Sequence, residues 1–235
     1  MKIILKGVII FVLTSLSLVG FASIEPKKYI GAYVIPYYEA ADSAEGTPRV
    51  AVAKKYDALL SSNDPKDILR VRDSIEREPG LITPMTLMVL AIRLYDLGYR
   101  DESVYWFYIA KNRFITFAEV ADFRANQSLM QIFVTMRDFV SLAGRYINGY
   151  AFCDIEKQNK TQRKAFEWVK NNPYQAMFLP NIPAVPGDRK ENLEKAVEGL
   201  YQGIQKEREQ FEDAEVRAKF VASRKENNMD KMFCW

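Results

Sequence analysis

Apolar residues recur at helical spacing along most of the chain after residue 50. Residues 85–97 are apolar on nearly every face, whereas a narrow apolar stripe runs through the charged residues 188–227. Apolar positions three and four residues apart are typical of helices that bury one face. The alternation that is typical of strands is hard to find beyond residues 24–50. The pattern therefore predicts an all-α fold.

Local start and stop signals divide this pattern into separate helices. Asp64-Pro65 and Thr83-Pro84 each place a capping side chain before a proline at the first helical position. Gly98 follows the second of these helices and is a typical helix end. Further helices are predicted over residues 50–60, 101–113 and 155–171, and residues 117–150 are predicted to be helical with breaks near Asn126 and after Gly144.

Proline and glycine mark the segments that lie outside this helical pattern. Residues 24–50 are predicted to be an irregular N-terminal segment, and residues 173–187, with four prolines, a long structureless loop. Residues 188–227 are predicted to form one long helix, because no glycine or proline interrupts them after Gly203. We expect residues 23–235 to form a single helical domain of hairpins, packed as a compact bundle or a short solenoid.

Residues 1–22 have the order of a secretory signal peptide. Lys2 and Lys6 precede an uncharged run over residues 8–19, and small residues stand at positions 20 and 22. We predict cleavage after residue 22 and a periplasmic or secreted location. The alternative is an uncleaved membrane anchor, but the uncharged run is shorter than the roughly 20 residues that span a bilayer.

Charge and cysteine content agree with export. Cleavage would remove two lysines from a chain whose formal net charge is +3, so neither nucleic-acid nor anionic-membrane binding is predicted. Cys153 and Cys234 are the two cysteines of the chain, and in an oxidising compartment they predict one disulfide. It would hold the C-terminal residues onto the body of the domain. The alternative is two buried free thiols.

Residues 84–113 combine two predicted helices around a glycine turn. Gly98 is followed by Ser103, Phe107 and Ala110, so that small residues stand where two helices would touch and a large one fills the gap between them. This spacing resembles the turn and second helix of one tetratricopeptide-type repeat. The resemblance implies a helical hairpin and a protein-binding scaffold rather than a catalyst.

The sequence excludes several kinds of catalytic and metal site. The chain contains no histidine, which removes Ser-His and Cys-His nucleophile pairs and histidine metal sites. It also lacks the glycine-rich phosphate-binding motifs and the nucleophile-elbow motif. No cofactor and no metal site are predicted.

A carboxylate-dependent cell-wall enzyme is the alternative function. Glu102-Ser103, then residues 128–132, then Tyr146 and Asn148 resemble, in order, three motifs of lytic transglycosylases. The resemblance implies peptidoglycan cleavage with Glu102 as the catalytic carboxylate. The other interpretation of Glu102 is a solvated acid in the first turn of a helix, where the helix dipole favours negative charge.

A protein-binding function is the main hypothesis. Tyr105, Trp106 and Tyr108 form an aromatic cluster that is either part of the core or the lining of a partner-binding groove. We expect a periplasmic bacterial domain that contacts another protein. Within that class we favour an immunity protein that neutralises a toxin or secreted effector, because such proteins are small, exported and free of catalytic motifs. A structural or assembly factor of the cell envelope is the other possibility in this class, and the sequence does not separate the two.

Overall fold

The computed structural model describes residues 25–30 and 56–235, and over these residues the fold is all-α, as predicted. The predicted signal peptide, and the predicted irregular segment after residue 30, lie outside the described residues. The described part contains helices, one 3-10 turn and an isolated bridge between Ala121 and Ala184. None of its helices is long and apolar enough to cross a bilayer.

Nine α-helices of the described part pack in a compact bundle around α4. In chain order these helices are α1 (Asp57–Leu60), α2 (Pro65–Arg77), α3 (Pro84–Asp96), α4 (Arg100–Val120), α5 (Gln127–Ala151), α6 (Ile155–Asn171), α7 (Arg189–Glu212), α8 (Ala214–Glu226) and α9 (Met229–Phe233). The 3-10 turn, Gln175–Phe178, lies between α6 and α7.

Local capping determines where several helices begin. The Asp64 side chain accepts a hydrogen bond from the Lys66 backbone N–H at 2.9 Å, and Thr83 accepts one from Thr86 at 3.0 Å. Each satisfies a backbone donor that has no partner within the helix. Proline follows each cap, as the sequence predicts. The starts of α2 and α3 are therefore encoded by adjacent residues.

Helices α3 and α4 form a tightly packed hairpin at the centre of the bundle. The hydroxyl of Ser103 donates a hydrogen bond to the Ala91 carbonyl at 2.7 Å, which requires close approach of the two helices. The turn between them contains Gly98 with φ of +87°, a conformation that favours glycine. A helical hairpin is thus present over residues 84–113, and its tetratricopeptide character stays a prediction. Helix α4 continues to Val120, beyond the predicted end at residue 113.

The segment 188–227 is two helices rather than the single long helix predicted. Asp213 adopts an extended backbone, and its side chain accepts hydrogen bonds from the backbone N–H groups of Glu215 and Val216. It therefore caps the start of α8 and separates α8 from α7. Because Asp213 lies within a run of charged residues, its capping role is not evident from the sequence pattern.

The proline-rich loop over residues 173–187 is ordered, not structureless as predicted. It contains the 3-10 turn, and its residue Val185 donates to the carbonyl of Val120 at 3.0 Å. Arg189, in the first turn of α7, donates to the carbonyls of Leu179 and Ile182 at 3.1 and 2.7 Å. These contacts hold the loop against the end of α4 and position the start of α7.

The C-terminus is held by a covalent bond and by packing. Cys153 and Cys234 lie at disulfide distance, with sulfur atoms 1.94 Å and Cα atoms 5.6 Å apart, which confirms the predicted pairing. Phe233 is buried against α5, and an added Cβ at Gly149 would come within 2.7 Å of its ring. The C-terminal residues are therefore part of the folded domain.

A buried arginine connects segments that are distant in sequence. Arg113 is fully buried, and its guanidinium donates to the carbonyls of Pro79 and Ile82, each at 2.8 Å, and to that of Asn172. Its guanidinium carbon also lies 4.7 Å from the centroid of the Trp168 ring. Burial lowers the pKa of Arg113 to about 10, so the group is still charged at neutral pH. Arg113 thus links α4 to the α2–α3 turn and to the end of α6.

Replacing Arg113 by methionine is expected to lower the free energy of unfolding by about 3 kcal/mol, because it leaves three backbone carbonyls without their donor. Urea denaturation of the two proteins measures the difference. Arg137→Met, at an exposed position on α5, is the control and should change stability by less than about 0.5 kcal/mol. Equal stability of the two variants would contradict the structural role of Arg113.

Candidate binding groove

An open groove of about 870 Å³ lies between α4, α6 and α7. Its apolar lining includes Ile115, Ala118, Ala196, Leu200 and Ile204. Its polar lining includes Lys111, Asn112, Glu119, Gln162, Lys195 and Glu207. A concave surface that combines apolar walls with a few polar groups is typical of binding sites.

Two hydrogen-bonded contacts define the ends of the groove. Near one end, the side-chain nitrogen of Gln158 on α6 lies 3.0 Å from the Tyr108 hydroxyl of α4 and 3.4 Å from Glu207 of α7. At the other end, Val185 bonds to Val120, just before α7 begins. Helices α4 and α7 therefore run antiparallel along the groove. We call the end of the groove beside Glu207 its polar end.

Two glycines on α7 leave the groove wide. Gly199 and Gly203 lie one turn apart and both line the groove, and a Cβ added to either would meet no atom of the described residues within 4 Å. Packing therefore does not require glycine at either position. Each glycine inside a helix costs about 1 kcal/mol relative to alanine. The Gly199–Gly203 spacing was visible in the sequence, but the pattern alone does not show that it faces a groove.

Asn112 lines the groove and carries a buried hydrogen-bond donor that has no partner in the described part of the chain. The residue is 1% exposed, and the donor is its side-chain nitrogen. A buried donor without a partner costs about 1–3 kcal/mol. An acceptor on a molecule bound in the groove would remove this cost.

The predicted aromatic cluster does not line this groove. Trp106 and Tyr108 are buried, the first against the Trp168 ring at 5.8 Å and the second with its hydroxyl donating to Asn148 at 3.2 Å. Burial also raises the pKa of Tyr108. Tyr105 is half-buried, with the Lys164 ammonium 4.7 Å from its ring centroid. The core interpretation therefore holds for Trp106 and Tyr108, whose side chains are not accessible to a partner in the folded chain.

Glu102, the alternative catalytic carboxylate, lies outside the groove. It is in the first turn of α4, where one of its oxygens accepts a hydrogen bond from Arg72 at 2.7 Å. The ion pair is partly exposed, with 38% of the Glu102 side chain accessible. Over residues 25–30 and 56–235, no group of three acidic, cysteine or histidine side chains is arranged to hold a metal ion.

One curated relative covers nearly the whole chain. A Haemophilus influenzae protein described as "Uncharacterized protein" is 35% identical in an alignment of 228 residues that covers 95% of this chain and 86% of the relative. The two proteins belong to one family. No known protein-family profile and no solved structure matches the chain. Because the match covers 95% of this chain, the family relationship includes most of the helical domain.

Alanine at either groove glycine is expected to stabilise the protein. Gly199→Ala and Gly203→Ala should each raise the free energy of unfolding by up to about 1 kcal/mol, because the new Cβ meets open space and alanine favours the helix. Gly149→Ala is the matched control and should lower it, because its Cβ would overlap the Phe233 ring. Urea denaturation measures all three. Destabilisation by the first two variants would show that packing requires these glycines.

Proposed function

We propose that this chain is an extracytoplasmic binding protein whose groove takes up a segment of another protein. The observation that carries the proposal is the pairing of two features in one groove. Glycines at 199 and 203 leave it wide at a cost in helix stability, and Asn112 offers it a buried donor without a partner. Both features are unfavourable for the isolated chain, and a bound segment offsets the second of them.

The length of the groove suits a polypeptide. Its lining on α7 extends from Asn192 to Glu207, which spans about 22 Å along the helix axis. About seven residues of extended chain cover that distance. Apolar walls with hydrogen-bonding groups at intervals are the features by which grooves hold peptide segments.

The cysteine pair supports an extracytoplasmic location. Cys153 and Cys234 lie at disulfide distance although both residues are exposed. Exposed disulfides persist in oxidising compartments and are reduced in most cytosols. Together with the signal-like order of residues 1–22, this supports the proposal that the protein is periplasmic or secreted.

Within this class we propose an immunity protein that binds and neutralises a toxin or secreted effector. The support is the proposed compartment, the modest size of the helical domain and the lack of histidine and of phosphate-binding motifs. The lytic transglycosylase alternative has no comparable support, because Glu102 lies outside the groove and is paired with Arg72.

Filling the groove is expected to weaken binding strongly. We would co-express the full chain with each secreted protein encoded beside its gene, and measure complex formation and growth. Wild type should bind one of them and protect the cells from it, whereas Gly203→Phe should weaken binding at least about tenfold by occupying the groove.

The control for this variant is Gln202→Phe. Gln202 is an exposed neighbour on α7 that does not line the groove, so its replacement should leave binding unchanged. Equal binding by Gly203→Phe and wild type would show that the groove is not the binding site. If the wild-type chain binds a neighbour's product without protecting the cells, the immunity function is wrong and the binding function stands.

A further inference from the structure

The polar end of the groove holds a carboxylate without a cation. Glu207 is half-buried, and its two oxygens lie 3.4 Å from the Gln158 side-chain nitrogen and 3.3 Å from that of Gln162. No lysine or arginine of the described part forms an ion pair with it. Lys111 and Lys195 also line the groove, yet neither lies within ion-pairing distance of Glu207. A charge in this environment is ready to pair with a cation from outside the chain.

The groups around Glu207 are held firmly in place. Gln158 and Gln162 are 1% and 4% exposed. The side-chain nitrogen of Gln158 lies 2.9 Å from the side-chain amide oxygen of Gln162 and 3.0 Å from the Tyr108 hydroxyl. These contacts orient the glutamine amides, and the amides in turn orient the carboxylate. Preorganisation of this kind lowers the entropy that binding would otherwise lose.

Unsatisfied hydrogen-bonding atoms lie close to the same carboxylate in the fold. Within residues 25–30 and 56–235, the buried side-chain oxygen of Gln158 has no donor and the buried side-chain nitrogen of Asn112 has no acceptor. Asn112 lies one turn beyond Tyr108 on α4, and Tyr108 and Glu207 both approach the Gln158 nitrogen. The polar end thus offers one negative charge, one free acceptor and one free donor to an occupant of the groove.

The neighbouring surface accommodates a long aliphatic chain. Gly203 and Ile204 precede Glu207 by one turn or less on α7, and the first has open space above it. Lysine and arginine pack the methylene groups of their side chains on apolar surface while the charged end meets its partner. A shorter cation, or a neutral side chain, would leave either the carboxylate or this space unfilled.

We infer that the bound protein segment contributes a lysine or arginine side chain to Glu207, next to a backbone carbonyl that accepts from Asn112. This inference rests on the proposed function, because it specifies which segment the groove selects. Charge complementarity favours this occupant over an acidic or wholly apolar segment. The neighbouring Gly203 leaves room for the side chain to approach along α7.

A random dodecapeptide display library, selected on the purified full chain, tests the inference. Wild type should enrich peptides that share a lysine or arginine. Replacing that residue by norleucine should weaken binding, measured by fluorescence anisotropy, about tenfold or more. The Glu207→Gln variant should bind the original peptide about as weakly as wild type binds the norleucine peptide. It should bind the norleucine peptide as well as wild type does. Circular dichroism and urea denaturation establish that the variant is folded.

The control variant is Glu209→Gln, which makes the same change at an exposed position of α7 outside the groove and should leave binding unchanged. Enrichment of peptides without a shared basic residue, or equal binding by Glu207→Gln and wild type, overturns the inference while the proposed function stands. Enrichment of no peptide at all counts against the proposed function itself. If Glu207→Gln does not fold, binding of the norleucine peptide to wild type is the test, and binding as tight as that of the original peptide overturns the inference.

Discussion

The buried guanidinium of Arg113 determines how the walls of the groove meet. It is a charged group in the interior whose two terminal nitrogens donate to three backbone carbonyls, from Pro79, Ile82 and Asn172. Because the planar guanidinium directs its donors at fixed angles, the carbonyls it bonds must keep their relative positions. The end of α6 is therefore fixed against α4, and these two helices are two of the three walls of the groove.

The third wall, α7, is also positioned by an arginine that donates to backbone carbonyls, but this arginine is less buried than Arg113. Arg189 donates to the carbonyls of Leu179 and Ile182 in the proline-rich loop, and that loop bonds to the end of α4 at Val120. With both ends of the loop restrained, α7 begins at a defined place beside α4. Because these hydrogen bonds hold the three helices and the loop in place, the groove stays open although Gly199 and Gly203 contribute no side chains to it.

Features of the fold encoded by adjacent residues could be predicted, and those that depend on distant contacts could not. Asp64 and Thr83 act on backbone groups two or three residues away, so the helix starts were visible in the sequence. The break at Asp213 uses the same chemistry, but a capping aspartate inside a charged run cannot be told from a solvated helix face. Arg113 looked like any helical arginine, because its burial follows from segments 34 and 59 residues away. The groove residues lie on three helices and in the proline-rich loop, and their proximity has no signature in the sequence.

The central claim is that the groove between α4, α6 and α7 holds the partner. Two-dimensional ¹H–¹⁵N spectra of the full chain, titrated with a peptide selected on it, test this claim most directly. Side-chain amide resonances of Asn112 and Gln162 and backbone resonances of Gly199 and Gly203 all report on the groove. If the groove holds the partner, the resonances of these four residues shift on binding while those of α8 remain in place. Shifts confined to α8, or to any surface outside the groove, would contradict this claim.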